Sequence, residues 1–196
     1  TIIAGCGIHN PGHAKSEHDG VHTFHIGKNA RVVYSEKHYG EGEGTGDRVL
    51  NPTTNVTMAE GSQCDMEMTQ IEGVTSTVRD TVAHLAAGAK LNVVEKLLTH
   101  GDQRAESNID IHVDGDGPSA RSISRSVAKD QSDQEFKPVA IGNAGCRAHI
   151  QCDSIIMDGA KVRSVPAIEA NHPEAQIVHE AAIGRINNEQ LIKLET

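Results

Sequence analysis

The densest set of metal-ligand side chains lies near the N-terminus, where Cys6, His9, His13, His18, His22 and His25 place six donors in one short stretch. A His-x3-His spacing chelates zinc when it lies on a helix, because residues i and i+4 share a face. Pro11 and Gly12 stand between His9 and His13 and make that helix a poor expectation. His22 and His25 fall on opposite faces of a strand. Histidines on strand edges and turns are therefore expected, with a zinc protein built on Cys6, His9 and His13 as a remote alternative. The four cysteines, Cys6, Cys64, Cys146 and Cys152, form no CxxC pair and are too sparse for a disulfide scaffold, so free thiols are expected. Cys146 reads as a packed thiol at the start of a structural repeat.

Other chemical templates fail. The glycines Gly40, Gly42, Gly44 and Gly46 follow no strand-to-helix signal and lack the Lys-Ser/Thr of a phosphate loop. No G-x-S-x-G elbow is present. Asp114 and Asp116 begin like a calcium loop, but the downstream Gly and Glu are misplaced, and a turn is the better reading. Acidic pairs are abundant without any one standing out as a glycosidase couple.

The elements that must position any reactive group come from a chain with two Phe, two Tyr and no Trp. Val, Ile, Ala and Gly take their place. Ile109, Ile111 and Val113 alternate with Asp110 and His112 before Gly115-Asp116-Gly117. Ile150, Cys152, Ser154 and Ile156 alternate with polar residues before Gly159, and Ile177, His179, Ala181 and Ile183 do so before Gly184. Period-two runs ended by Gly or Asx are strands. Val74, Val78, Val82 and Leu85 fit a helix or a strand by spacing, and the intervening threonines favour the strand. The segment from His38 to Asn55 reads as a mobile connector. Turn-like glycines at Gly61, Gly88, Gly117 and Gly145 are 27, 29 and 28 residues apart. A repeat of that length predicts stacked strand turns, a β-solenoid whose narrow interior suits small β-branched side chains. A β-sandwich is the alternative. Residues 1–186 form the expected β-helix core. Residues 187–196 read as the start of a C-terminal helical region, with Asn187 as cap and Gln190 at the third helical position. The helix begins just where the sequence stops, which suggests that more protein follows.

The C-terminal third carries a resemblance. Cys152-Asp153-Ser154 precedes an apolar triplet, Pro166-Ala167-Ile168-Glu169 follows, and then come His179-Glu180-Ala181-Ala182-Ile183-Gly184 and Glu189-Gln190-Leu191. In order and near-spacing this resembles the core of the SufB/SufD family, scaffold proteins of the SUF iron–sulfur cluster assembly system. The match is specific from about Lys137 to Glu195 and diffuse upstream. The resemblance implies an all-β, right-handed parallel β-helix and a transient iron–sulfur cluster as cargo. It implies that Cys152 binds the nascent cluster or sulfur and that His179 is a functional histidine. Glu180 matches SufB, whereas SufD-type proteins tend to carry Gly there. Implied partners are a second SufB/SufD-type subunit, giving a homodimer here, a sulfur donor, and a SufC-type ATPase that docks through C-terminal helices absent from this sequence. No nucleotide is expected on this chain. The chemistry agrees: thiolates are the preferred cluster ligands, and His can replace Cys on an iron. A thiolate also takes up and passes on sulfur by exchange. His179 and Glu180 point to opposite faces of a straight strand, so one metal reaches both only at a bulge or strand end.

Composition narrows the rest. Eighteen Lys plus Arg against 27 Asp plus Glu give a net charge of −9, and four aromatics leave little to stack on bases, so a nucleic-acid partner is not expected. No apolar run nears transmembrane length and no N-terminal signal is visible, so no membrane partner and a cytoplasmic location are expected. The expectation is a cluster-assembly scaffold without catalytic turnover. Its rivals are a β-helix enzyme acting on carbohydrate or small metabolites, which calls for a cleft of carboxylates, and a structural solenoid with no site.

Overall fold

The computed structural model describes residues 1–186, all of whose regular elements are strands. One sheet holds seven parallel strands in chain order: β1 (Ile2–His9), β4 (Arg31–Glu41), β7 (Gln63–Glu72), β9 (Lys90–Thr99), β11 (Ser119–Ala128), β13 (Arg147–Ile156) and β16 (Gln176–Arg185). The second runs from β2 (Ser16–His18) through β5 (Arg48–Leu50), β8 (Ser76–Leu85), β10 (Arg104–Val113) and β12 (Asp133–Gly142) to β14 (Lys161–Ser164). β3 (Val21–Ile26) and β6 (Thr53–Met58) extend it beside β8, and β15 (Ala167–Ala170) pairs with β12. The chain passes from one sheet to the other and back, each strand pairing in parallel with the strand one coil earlier. That is the expected β-solenoid, of six coils between the seven strands of the first sheet. The helix expected from residue 187 lies outside the described residues.

The register explains the repeat. Leu91 pairs with Ala120, and Ala120 with Ala148, so equivalent inward positions recur at the spacing of the turn glycines. Those turns stack as well: the Gly61 amide donates to Ala87 O, Gly88 to Asp116 O and Gly117 to Gly145 O. Gly61, Gly88 and Gly117 have φ of 68°, 65° and 74°, a left-handed backbone that suits glycine.

Alternation sends every second side chain into the interior. Met66, Met68, Leu85, Ile111 and Ile150 are wholly buried, and Phe136 and Tyr34 are the large rings the core admits. In β8 the strand reading holds, but the valines face outward: Val78 is 38% exposed, while Thr77, Arg79, Thr81, Ala83 and Leu85 line the interior. The connector is shorter than its composition indicates. β4 runs on to Glu41, which carries His38 into the core, and β5 begins at Arg48. What remains, Gly42 to Asp47, stacks on the loop of the previous coil, with Gly44 donating to Asn10 O and Gly46 to Gly12 O. A Cβ at Gly44 would lie 2.2 Å from the Gly12 oxygen, so glycine permits this close approach.

Candidate functional site

In the first sheet the register aligns Glu36, Met68, Glu95, Ser124, Cys152 and Ala181 in one inward column. Cys152 is 1% exposed. Burial pushes its thiol above the usual range; Ser164 pulls the other way, and the Glu95 and Asp153 carboxylates add to the rise. On β16, His179 pairs with Ile150 and Ala181 with Cys152, so His179 is the diagonal neighbour of the thiol on the same inward face. Its Nε2 is buried and has no hydrogen-bond partner among the described residues. Glu180 turns outward, pairs with Gln151 in register and meets His149 at 3.3 Å. Cys152 and His179 thus share a face, and Glu180 does not. Cys146 is a buried free thiol, and all four cysteines are unbridged.

The N-terminal histidines separate. His9 and His13 are exposed, while Cys6 points inward, so no Cys6–His9–His13 set forms. His22 does turn toward Cys6, its Nε2 3.8 Å from Sγ, and His25 lies on the opposite, exposed face of β3.

The sequence reading missed an interior polar chain. The Cys6 thiol donates to Glu36 Oε1 at 3.2 Å, and that oxygen also lies 3.1 Å from His22 Nδ1 and 3.0 Å from His38 Nε2. Tyr34 OH meets His22 Nδ1 at 3.0 Å. Arg79 reaches across from the second sheet, donating to His38 Nδ1 at 2.8 Å and to Glu95 Oε1 at 2.7 Å. Ser107 and Ser124 donate to the Glu95 carboxylate. This chain runs from the first coil to the neighbour of Cys152. Burial alone would raise the Glu36 carboxyl, but the close approach of the His38 ring, the hydrogen bond from Cys6 and the nearby His22 imidazole bring it down to about 2. Burial and the Glu36 carboxylate push the Cys6 thiol up to about 11. Burial lowers His38, an effect that Arg79 reinforces and Glu36 opposes, so the His38–Glu36 contact joins a neutral ring to a carboxylate. The available signal was phase: Glu36 and His38 continue the inward alternation of Val32 and Tyr34, and Glu95 that of Leu91 and Val93.

The outer face of the first sheet carries an open groove of about 760 Å³ in which Arg31, Lys90 and Arg147 form a basic row, with Arg121, His149, Glu180 and the Arg31 partner Asp65 beside it. No helix among the described residues is long and apolar enough to cross a membrane.

A family model described as "SUF system FeS cluster assembly, SufBD core domain" matches residues 1–195. The chain belongs to the SufBD family. The match takes in the N-terminal coils, where the motifs alone had left the resemblance diffuse. An iron-sulfur cluster assembly SufBD family protein of Methanocaldococcus jannaschii is 30% identical over 169 residues, which is 85% of this chain and 52% of that protein. SufBD family proteins of Pyrococcus horikoshii and Methanothermobacter thermautotrophicus strain Delta H are 24% and 26% identical, over 90% and 98% of this chain and 54% and 47% of their own lengths. The chain therefore spans about half the length of these SufBD relatives.

Proposed function

We propose that this SufBD core acts as a scaffold on which iron and sulfide are gathered into a cluster, with Cys152 holding sulfur or iron and His179 ligating or orienting. The observation that carries the reading is the shared inward face of Cys152 and His179 on the last described coil, where the His179 Nε2 has no hydrogen-bond partner among the described residues. A purely structural solenoid gives no reason for a cysteine and a histidine to meet on one inward face. The basic row of the outer groove likewise differs from the cleft of carboxylates that a glycoside-cleaving enzyme calls for.

The buried Cys152 thiol is kept protonated, and an arriving iron lowers its pKa and takes the thiolate. Sulfur arrives by exchange: the Cys152 thiolate attacks the sulfane sulfur of a donor persulfide, the donor's S–S bond breaks, and the donor thiolate leaves. Glu180, on the outer face beside His149, assists from the rim. It gives the chain its SufB-like character. A second subunit of this type completes the ligand set, and a SufC-type ATPase is a further partner, one that docks outside the stretch this chain shares with its relatives.

Anaerobic reconstitution with iron and sulfide tests the reading. Wild type should develop thiolate-to-iron charge-transfer absorption with bound iron and sulfide, and Cys152→Ser should lose both. Equal cluster content in the two proteins would remove Cys152 from the site.

A further inference from the structure

A second group of ligand side chains lies in the first two coils, away from Cys152 and His179. One ligand atom each from Cys6, Glu36 and His38 lies within 4.8 Å of the other two. Cys6 Sγ and His38 Nε2 approach the same carboxylate oxygen, at 3.2 and 3.0 Å. Two ligands on one tetrahedral zinc stand about 3.5 Å apart, given bond lengths of about 2.0 to 2.3 Å. The three side chains therefore need only small shifts to hold one cation.

Two atoms of the group have no hydrogen bond to account for their burial. Glu36 Oε2 and His38 Nε2 are fully buried and without a hydrogen-bond partner among the described residues, although Glu36 and His38 are 1% and 0% exposed. His22 and Cys6 beside the group are both half-buried, and His22 Nε2 stands 3.8 Å from Sγ.

We propose that Cys6, Glu36 and His38 form a site for one thiophilic divalent cation of the zinc type, distinct from the Cys152–His179 face and latched by Arg79. A guanidinium has no acceptor, so its bond to His38 Nδ1 puts the neutral ring's proton on Nε2, the nitrogen that faces Glu36. A cation at Nε2 transfers that proton to Nδ1, which then confronts Arg79. The guanidinium must turn onto Glu95, to which its other nitrogen is already bonded. Cys6 releases its thiol proton to solvent, and Glu36 enters as the carboxylate. One cation goes in and one proton comes out. The latched and loaded states exclude each other.

The test uses the chelator-treated chain titrated with Co²⁺ and then Zn²⁺. The expected result is one equivalent bound, with a thiolate-to-cobalt charge-transfer band that Zn²⁺ displaces. Cys6→Ser should lose the band, bind zinc at least tenfold more weakly and keep its circular dichroism, while Cys146→Ser keeps the band. Zinc should raise the melting temperature of wild type and leave that of Cys6→Ser unmoved. A wild type with no band, or a band that survives in Cys6→Ser, overturns the site. The double variant Arg79→Met/Glu95→Gln removes the latch and its partner charge together and should bind zinc at least tenfold more tightly. Equal or weaker binding overturns the latch.

Discussion

Glu36 carries a negative charge where the alternation of β4 would ordinarily place an apolar side chain. Its carboxyl lies at about 2 against an ordinary 4.5, because the contacts from His38, Cys6 and His22 outweigh the cost of burial. The stability it supplies is complete above about pH 4.5 and is lost as pH falls through about 2. At 1.36 kcal/mol per pKa unit the full contribution is about 3 kcal/mol. Urea unfolding of Glu36→Gln should show a loss of that order at pH 7, and the gap from wild type should close as pH approaches 2. A gap of constant size across that range would mean that packing, not the charge, is what Glu36 supplies. His38 adds to the acid limb, since burial favours its neutral ring and protonation must oppose the fold.

At the scale of the strand, period and face are separate pieces of information, and β8 shows the difference. Val78 and Val82 carry the period on the outer face, while the interior takes Thr77, Arg79, Thr81, Ala83 and Leu85. Leu85→Ala should cost about 2 to 5 kcal/mol and Val78→Ala less than about 1 kcal/mol, read from denaturation midpoints. Comparable losses would reverse the face assignment. Strands dominated by one apolar phase, such as Ile109–Val113 and Ile150–Ile156, showed both period and face in the sequence. Where hydroxyl and charged side chains take inward positions, hydrophobicity points the wrong way. The same effect hid the interior chain: His38 follows Glu36 and precedes a glycine run, so composition assigned it to a connector. The backbone hydrogen bonds of a parallel sheet outweighed that local signal. Cys152 and His179 were legible through motif order, and their shared face through alternation. Arg79 was not legible, because it joins His38 and Glu95 only after the coils close and bring the two sheets together.

For the molecule as a whole, the number of ligands decides how a cluster could be held. Cys152 and His179 give two donors per chain on the shared face, and a conventional iron–sulfur cluster takes four. Two copies related by a two-fold axis would supply four. β16 is suited to that meeting: it ends the first sheet with no partner on its outer edge among the described residues, and Ile183 on its inward phase is 42% exposed. An uncovered edge with apolar side chains is where strands from another chain add on. Ile183→Lys places a solvated ammonium where a second copy would cover it. Sedimentation should find wild type as a dimer and this variant as a folded monomer, with reconstituted cluster per chain reduced at least tenfold. A monomeric variant that builds the same cluster per chain would show that one copy suffices, and the additional ligands would then have to be sought elsewhere on the same chain. A loss of cluster that tracks the loss of dimer across several protein concentrations would place the cargo between two chains, where neither Cys152 alone can hold it.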